Sequence, residues 1–336
     1  MGLAGYVLKR AVYLIPVIIG VTFITFFLSR VLVADPARAW LGPRATQSQV
    51  DILKARYGLD KPLPLQYVYY LRDLFTGNWG ISPITGRPVL AEIMYVFPAT
   101  FELTIAALLL TVILGVPLGV LSSLYKDSRI DHSIRFFYLA GFSSPPFLVA
   151  LVLLLVFGYY SGLLPTEGQL SHLLMPPTRI TGMYVVDSLL TGNWVDLEGS
   201  ILHLIMPATA LALTYFGLVV RVTRASMLEV AQKEFVKASY AKGLTKGAVV
   251  IRHVLRNALI STTTMIGLIL GSMLGGTVVI ETIFLWPGIG YYAVTAIDSF
   301  NFPSIMGVTI VFTLCVVLAN LAADIVYAFI NPRISL

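Results

Sequence analysis

Six apolar stretches alternate with polar segments along the chain. They run from Ala11 to about Val33, Ala99 to Leu124, Ile134 to Leu164, Ile201 to Val220, Ala258 to Phe284 and Ile305 to Ile330. A helix of about 20 apolar residues crosses the hydrocarbon core of a bilayer. Within that core only helices and closed barrels satisfy every backbone polar group. The lengths and the absence of strict alternation predict an all-α membrane protein with six transmembrane helices. Pro145-Pro146 interrupts the third stretch and should bend it. Residues 34–97 are too polar for lipid and carry Pro and Gly punctuation, as in "GLDKPLPLQYVYYLRDLFTGNWG", so they should form a small extramembrane segment. "ARA" at 37–39 mimics a signal cleavage site. The apolar run before it exceeds the usual roughly 7–15 residues, which favours a retained anchor. The organisation expected is therefore an anchor (1–33), an extracytoplasmic segment (34–97), a transmembrane core (98–330) and a short tail (331–336).

Composition supports lipid as the main solvent. Of 336 residues, 57% are hydrophobic and 12% charged, about half the usual charge of a soluble domain. The net charge of +6 in so apolar a chain points to anionic membrane rather than nucleic acid. Charge also sets the orientation. The side holding both termini carries Lys9, Arg10, Lys126, Arg129, Arg135 and Arg333, whereas the short loops opposite hold only Arg179. Basic residues in short loops stay in the cytoplasm, so both termini are expected there. The single cysteine, Cys315, permits no intrachain disulfide.

The densest basic segment, "KASYAKGLTKGAVVIRHVLRNAL" (237–259), lies on the same side and has no acid. Apolar positions Met227, Val230, Ala231, Phe235 and Ala238 recur at helical spacing. Lys242-Gly243 reads as a helix end with glycine left-handed and Leu244 closing the cap. Thr245 can cap a second helix over Lys246–Asn257, with Val249, Val250, Val254 and Leu255 on one side and Arg252 and Arg256 on another. The result is a helical hairpin over 224–257 with an apolar ridge and a basic rim. Such a shape suits a groove in a cytoplasmic protein or the surface of anionic lipid. The cluster lacks the aromatic platform of a single-strand nucleic-acid binder.

Inside the spans, Gly267, Gly271 and Gly275 stand four apart and permit close helix approach or line a substrate path. Asp324, one turn after Asn320, is an acid within a span and hence a functional candidate by default, or a structural ion-pair partner. Glu281 and Glu102 should lie near the outer interface, as packing, gate or substrate contacts. Tyr291–Ser299, after "WPGIG", should form a short outer helix. Neither a phosphate loop nor a placed catalytic constellation occurs, so the chain reads as a non-enzyme without a cofactor of its own.

The segment "EFVKASYAKGLTKGAVVIRHVLRNAL" resembles the coupling motif of ABC transporter permeases, in the branch serving dipeptides, oligopeptides, nickel and some oligosaccharides. Lys237, Ala238 and Ser239 stand at the general E-A-A, so its Glu and its second Ala are absent, and His253-Val254-Leu255-Arg256 replaces the general ending. The A-K-G-L and H-x-L-R-N-A-L of the peptide branch are both present. "DPARAWLG", "GVPLGVLSSLYKDSRID", "HLIMPATALA", "VVIETIFLWPGIG" and "NLAADIVYAFINPRI" extend the resemblance over nearly the whole chain, with Asn331 where the branch usually has an acid. It implies a type I ABC importer permease fold and import of peptides, oligosaccharides or nickel chelates. It further implies a second homologous permease subunit, two cytoplasmic ATPases carrying ATP and magnesium, and an external substrate-binding protein. The coupling residues it assigns are Glu234, Ala238, Gly243, Leu244, Thr245, Arg252, His253 and Asn257. A secondary carrier built on Asp324 is the alternative; it would want intramembrane ionisable pairs and repeated halves.

Overall fold

The computed structural model describes residues 3–30, 35–42 and 44–330. Fourteen α-helices are assigned in them. The first, α1 (Leu3–Arg30), is followed by three short helices of the polar 34–97 segment: α2 (Pro36–Leu41), α3 (Gln47–Tyr57) and α4 (Leu63–Phe75). The first two of the three have explicit caps. Asp35 accepts from Arg38 N, Thr46 and Gln49 form a capping box, and Gly58 ends α3 in the left-handed region. Polar local chemistry thus builds a folded appendage where the apolar pattern is silent.

The core consists of α5 (Val89–Leu124), α6 (Arg129–Ser143), α7 (Pro146–Leu153) with a wide π turn over Leu154–Tyr160, α8 (Tyr184–Thr191) and α9 (Trp194–Ala231). It continues with α10 (Glu234–Ala241), α11 (Lys246–Val249), a second π turn over Val250–Leu255, α12 (Arg256–Ile283), α13 (Ile289–Asp298) and α14 (Phe302–Ile330). Among the described residues four helices are long and apolar enough to cross a membrane: α5, α9, the continuous Lys246–Ile283 rod and the Phe302–Ala322 part of α14. The pair α6 and α7 makes a fifth span if counted together, bent by 106° at Ser144-Pro145. The described apolar part of α1, Ile15–Phe27, is shorter than a span. The count is therefore four to five by these criteria, where the hydropathy pattern suggested six.

The centre of the bundle is α5 packed on α9. Their close approach is made by glycine: a Cβ on Gly115 would lie 2.8 Å from Val219 Cγ1, and one on Gly119 2.6 Å from Thr223 Cβ. The buried core runs through Leu103, Ala107, Leu211, Val219, Met273 and Ile280, which knits α5, α9 and α12 together.

Candidate functional site

The basic segment folds as a hairpin at one end of the bundle. Its first arm is not a smooth continuation of α9. The long helix stops at Ala231, Gln232 and Lys233 form a bend, and α10 begins at Glu234. The turn after α10 is a complete Schellman cap. Gly243 has φ +80°, its N–H donates to Tyr240 O at 2.9 Å, and Leu244 N–H reaches back to Ser239 O at 3.4 Å. Thr245 occupies the N-cap position of α11, but its side chain accepts no hydrogen bond from the first turn, so the expected side-chain cap is not formed. Nor does the second arm end at Asn257. With no proline to break it, the helix runs on through the π turn and α12 to Ile283, 38 residues in all. At 1.5 Å per residue this rod is about 57 Å long.

The apolar ridge faces inward rather than outward. Val236, Val249, Val254 and Ala258 are buried with Met227 of α9, and Val120, Val230, Val250 and Leu255 pack on them. This satellite core fixes the hairpin on its root. What it leaves exposed is a different set: Phe235, Tyr240, Leu244 and Ile251. Glu234 and Ala238 of α10 are also exposed, as are Gly243, Leu244 and Thr245 of the turn. Arg252 and His253 lie in the π turn, the first exposed and the second half-buried; Asn257 is exposed, and its Nδ2 donates to His253 O at 2.6 Å. Two of the segment's flanking cations are engaged locally, Lys237 with Glu234 at 2.8 Å and Lys233 with Glu229 at 2.9 Å.

Just above the hairpin lies a buried ion pair. Arg224 of α9 donates through Nε (2.9 Å) and Nη2 (2.7 Å) to the two oxygens of Asp131. The carboxylate is fully buried and also accepts from Ser122 Oγ of α5 and from Asp127 N at 3.0 Å. One aspartate therefore joins the end of α5, the turn after it, the first turn of α6 and α9, one helical turn before Met227. Nothing in the hydropathy pattern marks this pair. The signal lies in "KDSRID": Ser128 caps α6, so Asp131 falls in the first turn, where a carboxylate is electrostatically favoured.

The opposite end of the rod carries Glu281, which is fully buried within the protein. Thr100 Oγ1 of α5 donates to its Oε1 at 2.7 Å, Tyr291 N–H to Oε2 at 3.0 Å, and Ile289 N–H to Thr100 Oγ1 at 2.7 Å. Trp286 adds a hydrogen bond from Nε1 to Ala99 O at 2.9 Å. "WPGIG" is a cage built around this carboxylate. A Cβ on Gly288 would collide with Thr100 Oγ1 and the Glu281 carboxyl, and one on Gly290 would lie 2.6 Å from Val278 Cα. The helix expected after the motif is α13, over Ile289–Asp298.

Glu102 is likewise buried. It accepts from Tyr184 N (3.2 Å) and Val185 N (2.8 Å), and so caps α8 from a distance. Asp187, in the same loop, accepts from Ile180 N, Thr181 N, Thr181 Oγ1 and Gly182 N at 2.7–3.2 Å. Burial pushes its pKa upward, but these four donors outweigh it and hold the carboxyl below the usual aspartate range.

The glycines of α12 do not act as one stripe. Gly271 is buried, where a Cβ would sit 3.3 Å from Asn320 Oδ1 of α14; Gly275 is exposed, with no atom near; Gly267 is half-buried. Gly276, beside them, is the one pressed against Tyr215 of α9. Asp324 falls on α14, but its side chain lies outside the described residues, as do residues 331–336.

Residues 115–336 match the family described as binding-protein-dependent transport system inner membrane component. Residues 3–104 match the N-terminal region of such membrane components. The chain is 41% identical to the probable D,D-dipeptide transport system permease protein DdpB of Escherichia coli, over 97% of this chain and 96% of that one. It is 39% identical to the di/tripeptide transport system permease protein DppB of Pseudomonas aeruginosa, over 98% of each. It is 33% identical to the glutathione transport system permease protein GsiC of Pectobacterium atrosepticum, again over 98% of each. Among solved structures, the methionine ABC transporter MetNI in an inward-facing conformation superposes with a TM-score of 0.52 at 14% identity, covering 69% of this chain and 93% of that one. That likeness is one of fold.

Proposed function

This chain belongs to the family of binding-protein-dependent transport system inner membrane components, and we propose that it passes short peptides inward, driven through its 234–257 hairpin. It is a multi-pass inner membrane protein, the permease subunit of an ABC importer of the peptide branch. Such a permease works with an ATPase and a substrate-binding protein. In the proposed assembly it pairs with a second, homologous permease subunit, two ATPases sit beneath the pair, and both termini and the hairpin face the cytoplasm.

The observation that carries this reading is mechanical. The Schellman-capped turn is welded by a satellite core to α9 and is continuous with the rod that ends in the Glu281 cage. A push on the turn is therefore delivered to the far end of the bundle rather than absorbed by a loose loop. Phe235, Tyr240, Leu244 and Ile251 are the exposed apolar anchors for the ATPase groove, with the small Ala238 among them, and Glu234, Thr245, Arg252, His253 and Asn257 are its polar rim. Gly243 keeps the tip in shape. Coupling requires that the ATPase bind this tip differently in the two permease conformations. The Asp131–Arg224 pair holds α5 and α6 to the same root, so the push reaches three helices together.

Cargo follows the relatives: those just described are named for dipeptides, tripeptides or glutathione, and a short peptide is the class common to them. The test is uptake of a labelled dipeptide by cells whose only peptide importer contains this chain. Leu244→Cys is the companion variant, probed for disulfide crosslinking to cysteines in the ATPase groove. ATP-dependent uptake together with a crosslink is the expected result. Uptake driven by a proton gradient without ATP, or a tip that never crosslinks, refutes the reading.

A further inference from the structure

Two adjoining hollows where α1 meets α14 differ in character. The first, of about 410 Å³, lies between the polar 34–97 segment and the first turns of α14; Arg30, Lys61, Arg72 and Asp73 reach its wall. The second, of about 310 Å³, is a groove along α1 from Val21 to Thr25 and along α14 from Phe302 to Thr313. Met306 forms part of both walls, so one opens beside the other.

Their chemistry is complementary to an amphiphile. Among the described residues, Lys61 and Arg72 stand exposed at the first hollow beside Asp73, its one carboxylate. Arg72 is bound to Asp73 at 2.8 Å, which neutralises that carboxylate. Lys61 has only a 3.4 Å contact with Tyr69 OH and lies 4.7 Å from the centre of the Tyr69 ring. The groove is apolar despite its threonines, because each turns its hydroxyl to its own helix: Thr25 to Val21 O, Thr309 to Ile305 O and Thr313 to Thr309 O, at 2.7–2.9 Å. Methyl groups and aliphatic side chains remain to line it. From Phe302 to Thr313 the groove is about 16 Å long by the helical rise. That is close to the hydrocarbon depth of one leaflet, about 15 Å. The basic hollow stands at its mouth, at the Arg30 end of α1 and the Phe302 end of α14.

We propose that this composite site holds one anionic phospholipid. The phosphate-bearing headgroup sits against Lys61 and Arg72, and one acyl chain fills the groove between α1 and α14. Lipid bound this way staples the first helix and the extramembrane segment to the last helix. A zwitterionic lipid fits the groove equally well but gains less from the cations.

The test uses the importer complex reconstituted in vesicles of equal phosphatidylglycerol and phosphatidylcholine, extracted in mild detergent, with co-purifying lipid counted by mass spectrometry. Wild type should retain phosphatidylglycerol in about tenfold preference, the scale set by basic residues at an anionic surface. Lys61→Gln with Arg72→Gln, both on the exposed rim, should abolish the preference while lipid is still retained. Thr309→Trp, and independently Ile305→Trp, should block the groove and expel lipid of either kind while the complex stays assembled. Equal retention of the two lipids by wild type overturns the proposal. So does displacement of the lipid by glycerol phosphate, which would make the hollow a site for a free anion. Absence of lipid from the complex when the isolated chain retains it would give the groove to a partner subunit and overturn it as well.

Discussion

Gly243→Pro tests the hairpin most directly. Gly243 has φ +80° with open space where a Cβ would stand, so steric crowding contributes nothing and the backbone angle decides. An L-residue in the left-handed region costs about 1–2 kcal/mol, offset in part by the roughly 0.4–1 kcal/mol that alanine gains over glycine by restricting the unfolded chain. Gly243→Ala should therefore weaken the cap by about 1 kcal/mol. Gly243→Asn should weaken it less, because asparagine visits this region more readily. Proline cannot follow: its φ is held near −65° and it lacks the N–H that donates to Tyr240 O. The Leu244 bond to Ser239 O fails with it. Two capping bonds at about 0.5–1.5 kcal/mol each, with the conformational cost added, bring the loss to roughly 3 kcal/mol, or about a hundredfold fewer capped tips. The assay is ATP-dependent uptake of a labelled dipeptide at matched membrane abundance, with detergent-extracted melting temperature as the control. The expected order of uptake is Gly, Asn, Ala, Pro, with unchanged abundance and a melting temperature that falls by at most a few degrees per kcal/mol lost. Wild-type uptake by the proline variant, inserted normally, would refute the claim that a fixed tip transmits the work.

Other perturbations separate the remaining claims. Asp131→Ala leaves Arg224 without its partner and should destabilise the protein by about 3–5 kcal/mol, whereas Asp131→Leu with Arg224→Met should recover most of that in a thermal melt; equal losses would deny that the unpaired charge is the cause. Thr245→Ala should change stability by less than about 0.5 kcal/mol, because no side-chain cap is there to lose; a drop of about 1 kcal/mol would mean the cap forms. Gly288→Ala has no room for its Cβ and should cost about 1–3 kcal/mol through overpacking, read as a lower melting temperature with slower uptake. Asp187 is held below the usual aspartate range, so its contribution is present above the unfolded-state pKa and is lost as pH falls through the lower folded value. Hydrogen exchange at residues 180–187 should rise only under acid, and Asp187→Asn should raise it at neutral pH and remove the acid step.

Much of this molecule was legible along the chain because its determinants are local or one-dimensional. Lipid demands long apolar helices, so α5, α9, α12 and α14 are visible as runs. The bend at Pro145 follows from ring geometry, and the Lys242-Gly243-Leu244 cap is written in three consecutive residues. What the run length could not fix was where a helix stops when nothing breaks it. The second arm of the hairpin flows into α12 for that reason, and α9 reaches past the predicted span at both ends.

The tertiary structure decided which side of each element is satisfied by a distant neighbour. The ridge of Val249 and Val254 packs on Met227 and leaves Phe235, Tyr240 and Ile251 outside, a choice that depends on α9 lying alongside. Asp131 meets Arg224 across 93 positions and Glu281 meets Thr100 across 181. The sequence states that these polar groups exist within greasy surroundings. Only the packed bundle determines their partners, because a buried charge or hydroxyl is satisfied by whatever donor the fold brings within about 3 Å of it, and that distance is a property of three dimensions.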